Sequence, residues 1–324
     1  MRRRKGKGCV LAHAVGLLLA VIVAGVMLVM AGGELRMALD GRRERVTEER
    51  VTSFSLREQM GREQAEARVR GWLSVVPSET AVVRTERGRL SAQVFSPIGG
   101  GEAAPWALVL HGGLGSDSRQ VLDVACMLSL RGYRVLTPDL YAHGQSEGRM
   151  SSLGVRETED VRAWIEWIML EDMDARIVCF GQDEGGAALL LAAADGLPEP
   201  VKAVAVDSAY VSAGARMEAL MTETGAAQRM KALHRAAYRL TVGAPVEAGD
   251  IVGRMALADV PMLLIHGTGD SDVLAWESED LAAAAGKQAH LLLVEGAEHG
   301  MARFLEPETY SDALLSFFAA ALAE

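Results

Sequence analysis

Cysteine is scarce: Cys9, Cys126 and Cys179 stand far apart, two of them inside apolar runs. That excludes a disulfide framework and zinc-ligand spacing, and single buried thiols are expected instead. An excess of basic residues is also missing, with 33 Lys and Arg against 43 Asp and Glu and a formal net charge of -10. A nucleic-acid partner is excluded on that balance, because phosphate binding rests on clustered cations. No glycine-rich phosphate loop, dinucleotide fingerprint or metal-ligand cluster occurs, so neither a cofactor nor a metal is expected. The most informative absence is a single hydroxyl. Gly181-Gln182-Asp183-Glu184-Gly185 has the frame of a nucleophile elbow, Gly-x-Ser-x-Gly, with an aspartate where the serine belongs.

What is present divides the 324 residues into three parts. Residues 1–33 form the first. Arg2, Arg3, Arg4, Lys5 and Lys7 precede a run, residues 9–33, of 25 positions without Asp, Glu, Lys or Arg. Such a run is long enough to cross a bilayer as a helix. Val29-Met30-Ala31 resembles a cleavage site, but the run exceeds the h-region of a signal peptide, which favours an uncleaved signal anchor. The basic end should stay in the cytoplasm and place the rest outside, giving a single-pass cell-membrane protein. Arg36, Arg42, Arg43 and Arg45 follow the span, interspersed with Glu34, Asp40 and Glu44. His13 lies inside the span without a partner and reads as inert.

Residues 34–76 are rich in Arg and Glu, with Leu35, Met37, Leu39, Val69, Trp72 and Leu73 at loose helical spacing, and read as a charged helical stalk or a solvated linker. Residues 77–324 change texture. A hairpin is expected over 80–84 and 89–95, followed by buried-strand runs at 106–110, 133–137, 176–180, 201–206, 261–265 and 290–294. Amphipathic helices are expected over 117–130, 155–171, 184–194, 272–285 and 307–322. This alternation predicts an α/β domain whose mostly parallel central sheet is covered by helices on both faces, with the site at the carboxyl ends of the strands. Residues 208–258 lack a clear strand and read as a small helical insertion over those ends.

Four segments fall just past predicted strands. Small residues around Asp183 permit a sharp turn that lifts its side chain and aims the next N–H and a helix amino end at one spot. His111-Gly112-Gly113-Leu114-Gly115 follows an early strand, Gly267-Thr268-Gly269-Asp270 a late one, and Glu298-His299-Gly300 the last. The order elbow, acid, histidine resembles that of the α/β-hydrolase superfamily. Its nearest likeness there is to membrane-anchored bacterial serine esterases and aminopeptidases. The segment from Asp139 to Ser146, with Tyr141-Ala142 in place of Arg-Gly, is similar to the superfamily's Asp-x-x-Gly-His-Gly-x-Ser loop. The resemblance implies Asp183 at the nucleophile position, Asp270 as orienting acid, His299 as base, and the N–H groups of Gly113 and Glu184 as oxyanion donors. It also implies structural roles for His111, His143 and His266. Asp207, ending another strand, is a second-ranked acid partner for His299.

An aspartate changes the chemistry. It is ionised near neutral pH without help, but its attack on an ester would give an acid anhydride. Carboxylate nucleophiles suit displacement at saturated carbon, followed by hydrolysis of the alkyl-enzyme ester. Haloalkane dehalogenases and epoxide hydrolases, relatives by fold, resemble Gly-x-Asp-Trp-Gly at this elbow, whereas this chain has Glu184 after the aspartate. Tyr210 and Tyr238 are candidate donors to an epoxide oxygen, with packing as the plainer role. The expected function is a membrane-tethered hydrolase of a small molecule. The competing expectation is a catalytically silent binding or scaffold module on the same fold.

Overall fold

The computed structural model describes residues 5–42, 54–99, 101, 103–223, 225 and 230–323. Arg2 to Arg4, Arg43, Glu44 and Arg45, and the side chains of Lys5, Lys7, Cys9 and His13, lie outside what it describes. The apolar runs pair into an eight-stranded sheet: β1 (Ser78–Thr85), β2 (Gly88–Phe95), β3 (Trp106–Leu110), β4 (Arg134–Asp139), β5 (Ile177–Gln182), β6 (Val201–Asp207), β7 (Met262–Gly267) and β8 (Ala289–Val294). Their spatial order is β1-β2-β4-β3-β5-β6-β7-β8. β2 runs antiparallel to β1 and β4, and every pairing from β4 to β8 is parallel. All residues of β3 and β5 are buried, as parallel strands covered on both faces require. The chain steps from β3 outward to β4 and then back across to β5. The crevice beyond the carboxyl ends of β3 and β5 is therefore the switch point where such sheets bind ligands.

Two helical layers cover the sheet. On one face lie α4 (Glu157–Glu171), α5 (Asp183–Ala194) and α8 (Ala275–Ala285), contributing Trp164, Ile168, Leu190 and Leu281. On the other lie α3 (Leu122–Ser129) and α10 (Pro307–Ala323), contributing Val124, Leu128, Leu314 and Phe318. The insertion between β6 and β7 holds α6 (Ala213–Glu223) and α7 (Lys231–Val242), the latter ended by Gly243 at φ 80, where a side chain would be strained. A four-residue helix, α9 (Ala302–Leu305), follows the loop after β8.

The N-terminal parts are built into this body. Within α1 (Lys5–Ala38), the stretch Leu17–Ala38 is long and apolar enough to cross a membrane, with mean hydropathy 2.3. Leu17, Val21, Val29 and Met30 are exposed, whereas Ala31, Leu35, Ala38 and Leu39 are fully buried. Those four recur at three- and four-residue spacing and form one stripe against the domain. Burial of each leucine contributes about 1.5–3 kcal/mol. Past the helix, Ser151 N–H donates to Leu39 O (2.9 Å) and Gly41 N–H to Arg149 O (3.0 Å).

The second N-terminal helix, α2 (Leu56–Leu73), opens on a capping box between Ser55 and Glu58. Its charged residues face solvent, while Glu58, Ala65 and Trp72, seven apart, are buried against the domain. Trp72 Nε1–H donates to Ser129 Oγ (3.1 Å), and its ring packs 4.5 Å from that of Phe95.

Candidate active site

Asp183 sits at the β5–α5 turn with φ 44. A non-glycine residue there stores about 1–3 kcal/mol of strain, which the packing around it must offset. That packing depends on missing side chains. A Cβ on Gly181 would lie 2.6 Å from Gly185 O, and one on Gly112 would collide with Gln182 O. β3 and β5 thus come close enough to set Gly113, at φ 73, beside the carboxylate: a Cβ on Gly113 would stand 3.3 Å from Asp183 Oδ2. The turn after β3 is braced by Gly112 N–H donating to Gln120 Oε1 (2.9 Å) and by Ser116 Oγ–H donating to Gly113 O (2.7 Å). Glu184 is in the first turn of α5, where an N–H has no helical carbonyl to meet. Gly113 and Glu184, the residues expected to supply N–H groups to an oxyanion, are therefore both neighbours of Asp183.

The loops after β7 and β8 bring the other two residues. His299 Nδ1 lies 2.8 Å from Asp270 Oδ2, and His299 Nε2 lies 3.6 Å from Asp183 Oδ2. Asp270 is fixed by the N–H groups of Asp272 and Val273, each 2.9 Å from Oδ1, and by His266 Nε2, 3.1 Å from Oδ2. His266 is thus part of the support for the acid. Asp207 is engaged elsewhere, accepting from Tyr310 OH and Ser208 Oγ at 3.0 Å each, with Arg303 Nη1 at 3.6 Å. His111 accepts from Leu140 N–H (3.0 Å), and burial beside His143 pushes its pKa down to about 3, so the ring is neutral and structural.

One residue of this site escaped the sequence reading. Arg216, on α6, reaches in so that Nη2 stands 3.7 Å from Asp183 Oδ2, while Nη1 donates to Asp272 O (3.3 Å). The available signal was its place between Ala213, Met217 and Leu220, a cation on the buried stripe of an amphipathic helix.

These charges fix one another. Burial alone would raise the pKa of Asp183, but the Arg216 guanidinium and the His299 ring hold it below the usual carboxylate range. Burial works against His299 as a cation too, yet the two carboxylates raise it to about 10, so it rests as imidazolium. Glu184 behaves differently. Burial, with Glu157 nearby, drives its pKa well up, and its Oε1 accepts from Ser151 Oγ at 2.5 Å. The neighbour of the nucleophile position is therefore a buried acid engaged with Ser151, its charged form disfavoured by burial and by Glu157.

Asp183 Oδ1 is buried and has no hydrogen-bond partner among the described residues, and the same holds for the hydroxyl of Tyr210. Both residues line a cavity of about 790 Å³, whose walls also include Leu153, Leu220, Val69 and Phe304. Tyr238 instead donates to Ser152 O (2.6 Å) and serves packing. Among the described residues, no group of three His, Cys, Asp or Glu side chains is placed to hold a metal.

Sheet order, elbow, acid and histidine together define the class, and the chain belongs to the α/β-hydrolase family. Residues 105–240 match the family model of the alpha/beta hydrolase fold. Among curated proteins, the chain is 30% identical to the uncharacterized protein Rv2307c of Mycobacterium tuberculosis over 247 residues, 75% of this chain and 80% of the relative. Among solved structures, it resembles the esterase Pf2001 of Pyrococcus furiosus with a TM-score of 0.58 at 19% identity, over 76% of this chain and 93% of that one. A membrane phospholipase A, described as a bacterial virulence factor, matches 97% of this chain and 99% of its own with a TM-score of 0.55 at 16% identity. At such identities the structural matches speak to fold.

Proposed function

We propose that this protein is a membrane-tethered hydrolase that attacks a saturated carbon, an epoxide carbon in the first instance, through Asp183. The observation that carries this reading is Asp183 Oδ1, a buried carboxylate oxygen left unpartnered at the cavity while its sister oxygen faces His299 and Arg216. Held below the usual carboxylate range, Asp183 is ionised at neutral pH and needs no base.

In the first step Oδ1 bonds to the carbon and the ring carbon–oxygen bond breaks, while His299 Nε2–H gives its proton to the freed oxygen. Arg216 supplies positive charge beside that oxygen, and the Tyr210 hydroxyl is a further donor. Esterification removes the charge of Asp183, so the imidazole loses one of the anions that hold its proton. Neutral Nε2 then takes a proton from water as that water adds to the ester carbonyl, whose oxyanion is met by the N–H groups of Gly113 and Glu184. Collapse expels the second alcohol, protonated from the carboxylic acid just formed. Asp183 and His299 return as the starting ion pair.

Direct attack on an ester remains disfavoured, since it would yield an anhydride. Likeness to an esterase and to a membrane phospholipase A, at 19% and 16% identity, is a likeness of fold, and the substrate class proposed is a lipophilic small molecule. Val69, Leu153, Leu220 and Phe304 give the cavity an apolar part for such a molecule, beside charged groups that include Arg62, Arg70 and Arg119.

The test uses the full chain in detergent micelles, with epoxide, haloalkane and aryl-ester panels in oxygen-18 water. Turnover that places label in the Asp183 carboxylate is the expected result. The ion pairs favour a second reading, a silent module that binds its ligand in the same cavity, because Asp183 and His299 already satisfy one another. No turnover on any panel, with no label in Asp183, selects that reading.

A further inference from the structure

The elements that carry His299 and the oxyanion turn are loops, and loops are the parts of a scaffold that move most easily. Each is held from outside the domain's own sheet. On the oxyanion side, Gly115 N–H donates to Gly41 O (3.0 Å), just past the end of α1. Arg42 beside it donates through Nη2 to Ser146 O (2.7 Å) and through Nε to Gly148 O (3.2 Å). On the histidine side, Glu298 N–H donates to Glu58 Oε1 (2.9 Å), one residue before His299. Glu58 is a carboxylate only 1% exposed. Its other oxygen, Oε2, accepts from Ser55 N–H and Ser55 Oγ–H, both at 2.7 Å, so the side chain joins the first turn of α2 to the histidine loop. The two elements are pressed together farther along as well, since a Cβ on Gly61 would collide with Phe304 O.

We propose that Glu58 is a positioning residue of the site, fixing the loop that carries His299 from α2, while Gly41 braces the oxyanion turn and Arg42 the loop after β4 from just past α1. The N-terminal extension is then a clamp across the catalytic crevice. It does more than tether the domain. A capping carboxylate needs only its own helix turn; a buried one whose second oxygen is spent on an amide next to the catalytic histidine has a further task. Its effect on turnover rests on the hydrolase reading above, whereas its effect on His299 does not.

The experiment therefore reads His299 directly. Imidazole titration by NMR is followed in the full chain and in Glu58→Ala, Glu58→Gln and Ser55→Ala. Glu58→Ala should move the His299 pKa toward the ordinary value by about one unit or more and, on any substrate that is turned over, lower kcat by roughly a hundredfold with little change in KM. Glu58→Gln retains an acceptor for the Glu298 amide and should restore both. Ser55→Ala weakens the cap and removes one of the two bonds to Glu58 Oε2 but leaves the Glu58 contact to the Glu298 amide, so it should cost stability and move His299 far less than Glu58→Ala does. Hydrogen exchange of the Glu298 amide in the unaltered protein is the readout that survives a variant that fails to fold, and protection comparable to the interior of α2 is expected. A His299 titration equal in Glu58→Ala and Ser55→Ala, or a Glu298 amide that exchanges like an open loop, overturns the proposal.

Discussion

Asp183 is drawn by two cations, and each has a measurable consequence. Replacing it by Asn removes the charge that Arg216 and His299 share. The His299 pKa should then fall well below about 10, and NMR titration of the ring checks this. Arg216→Ala leaves the buried carboxylate with one partner, and breaking such a pair costs about 3–5 kcal/mol in denaturant unfolding. The pH dependence follows from the signs. His299 is raised from 6.5 to about 10, so its contribution to stability is complete below about 6.5 and is lost as pH rises through about 10. Asp183 and Asp270 are lowered, so theirs is present above the ordinary value of 3.8 and is lost as pH falls below it. Denaturant midpoints should therefore be highest between these limits and decline on both sides. Asp183, Asp270 and His299 stand out in the sequence because each follows a strand end within a recognisable glycine frame, and the structure brings the three side chains together. Arg216 and Glu58 announce themselves by no motif: one is a cation on an amphipathic stripe, the other a capping residue whose second oxygen is committed only in three dimensions.

Strands and helices of the sheet domain were legible to within a few residues, since buried parallel strands are short apolar runs and their helices keep a clear period. The charged segment over 34–76 was harder to read, because α2 buries so little of its surface. Glu58, Ala65 and Trp72 are its buried positions, and charge dominates the rest. Their weight exceeds their number. Trp72→Ala removes a ring packed on Phe95 and a hydrogen bond to Ser129, and should cost about 3–5 kcal/mol in urea unfolding. A chain beginning at residue 77 would lose all of α2 and the Glu58 contact together. It should unfold at markedly lower denaturant than the full chain, which a side-by-side melt would measure.

For the whole molecule, the exposed apolar stretch of α1 and its buried continuation separate two questions. Whether the protein enters a membrane depends on residues up to Met30; whether the domain is complete depends on Ala31 to Leu39. Removing residues 1–30 should give a soluble folded domain, while removing 1–42 should lower its melting temperature by stripping Leu35 and Leu39 from the core. If the basic end stays in the cytoplasm, protease added outside intact spheroplasts should digest the domain, whereas protection would place it inside. Fractionation and protease accessibility decide these outcomes.

The passage of α1 from exposed to buried without a break makes the mount of this domain stiff along most of its length. Gly32 and Gly33 occupy the changeover, where a Cβ would touch nothing, and each weakens a helix by about 1 kcal/mol relative to alanine. Gly25, in the exposed part of the same helix, likewise meets nothing, so within Leu17–Ala38 the helix is weakest at these three positions. If the exposed stretch of α1 sits in a bilayer, the tilt of the domain over the lipid depends on glycines that take no part in the chemistry of the site.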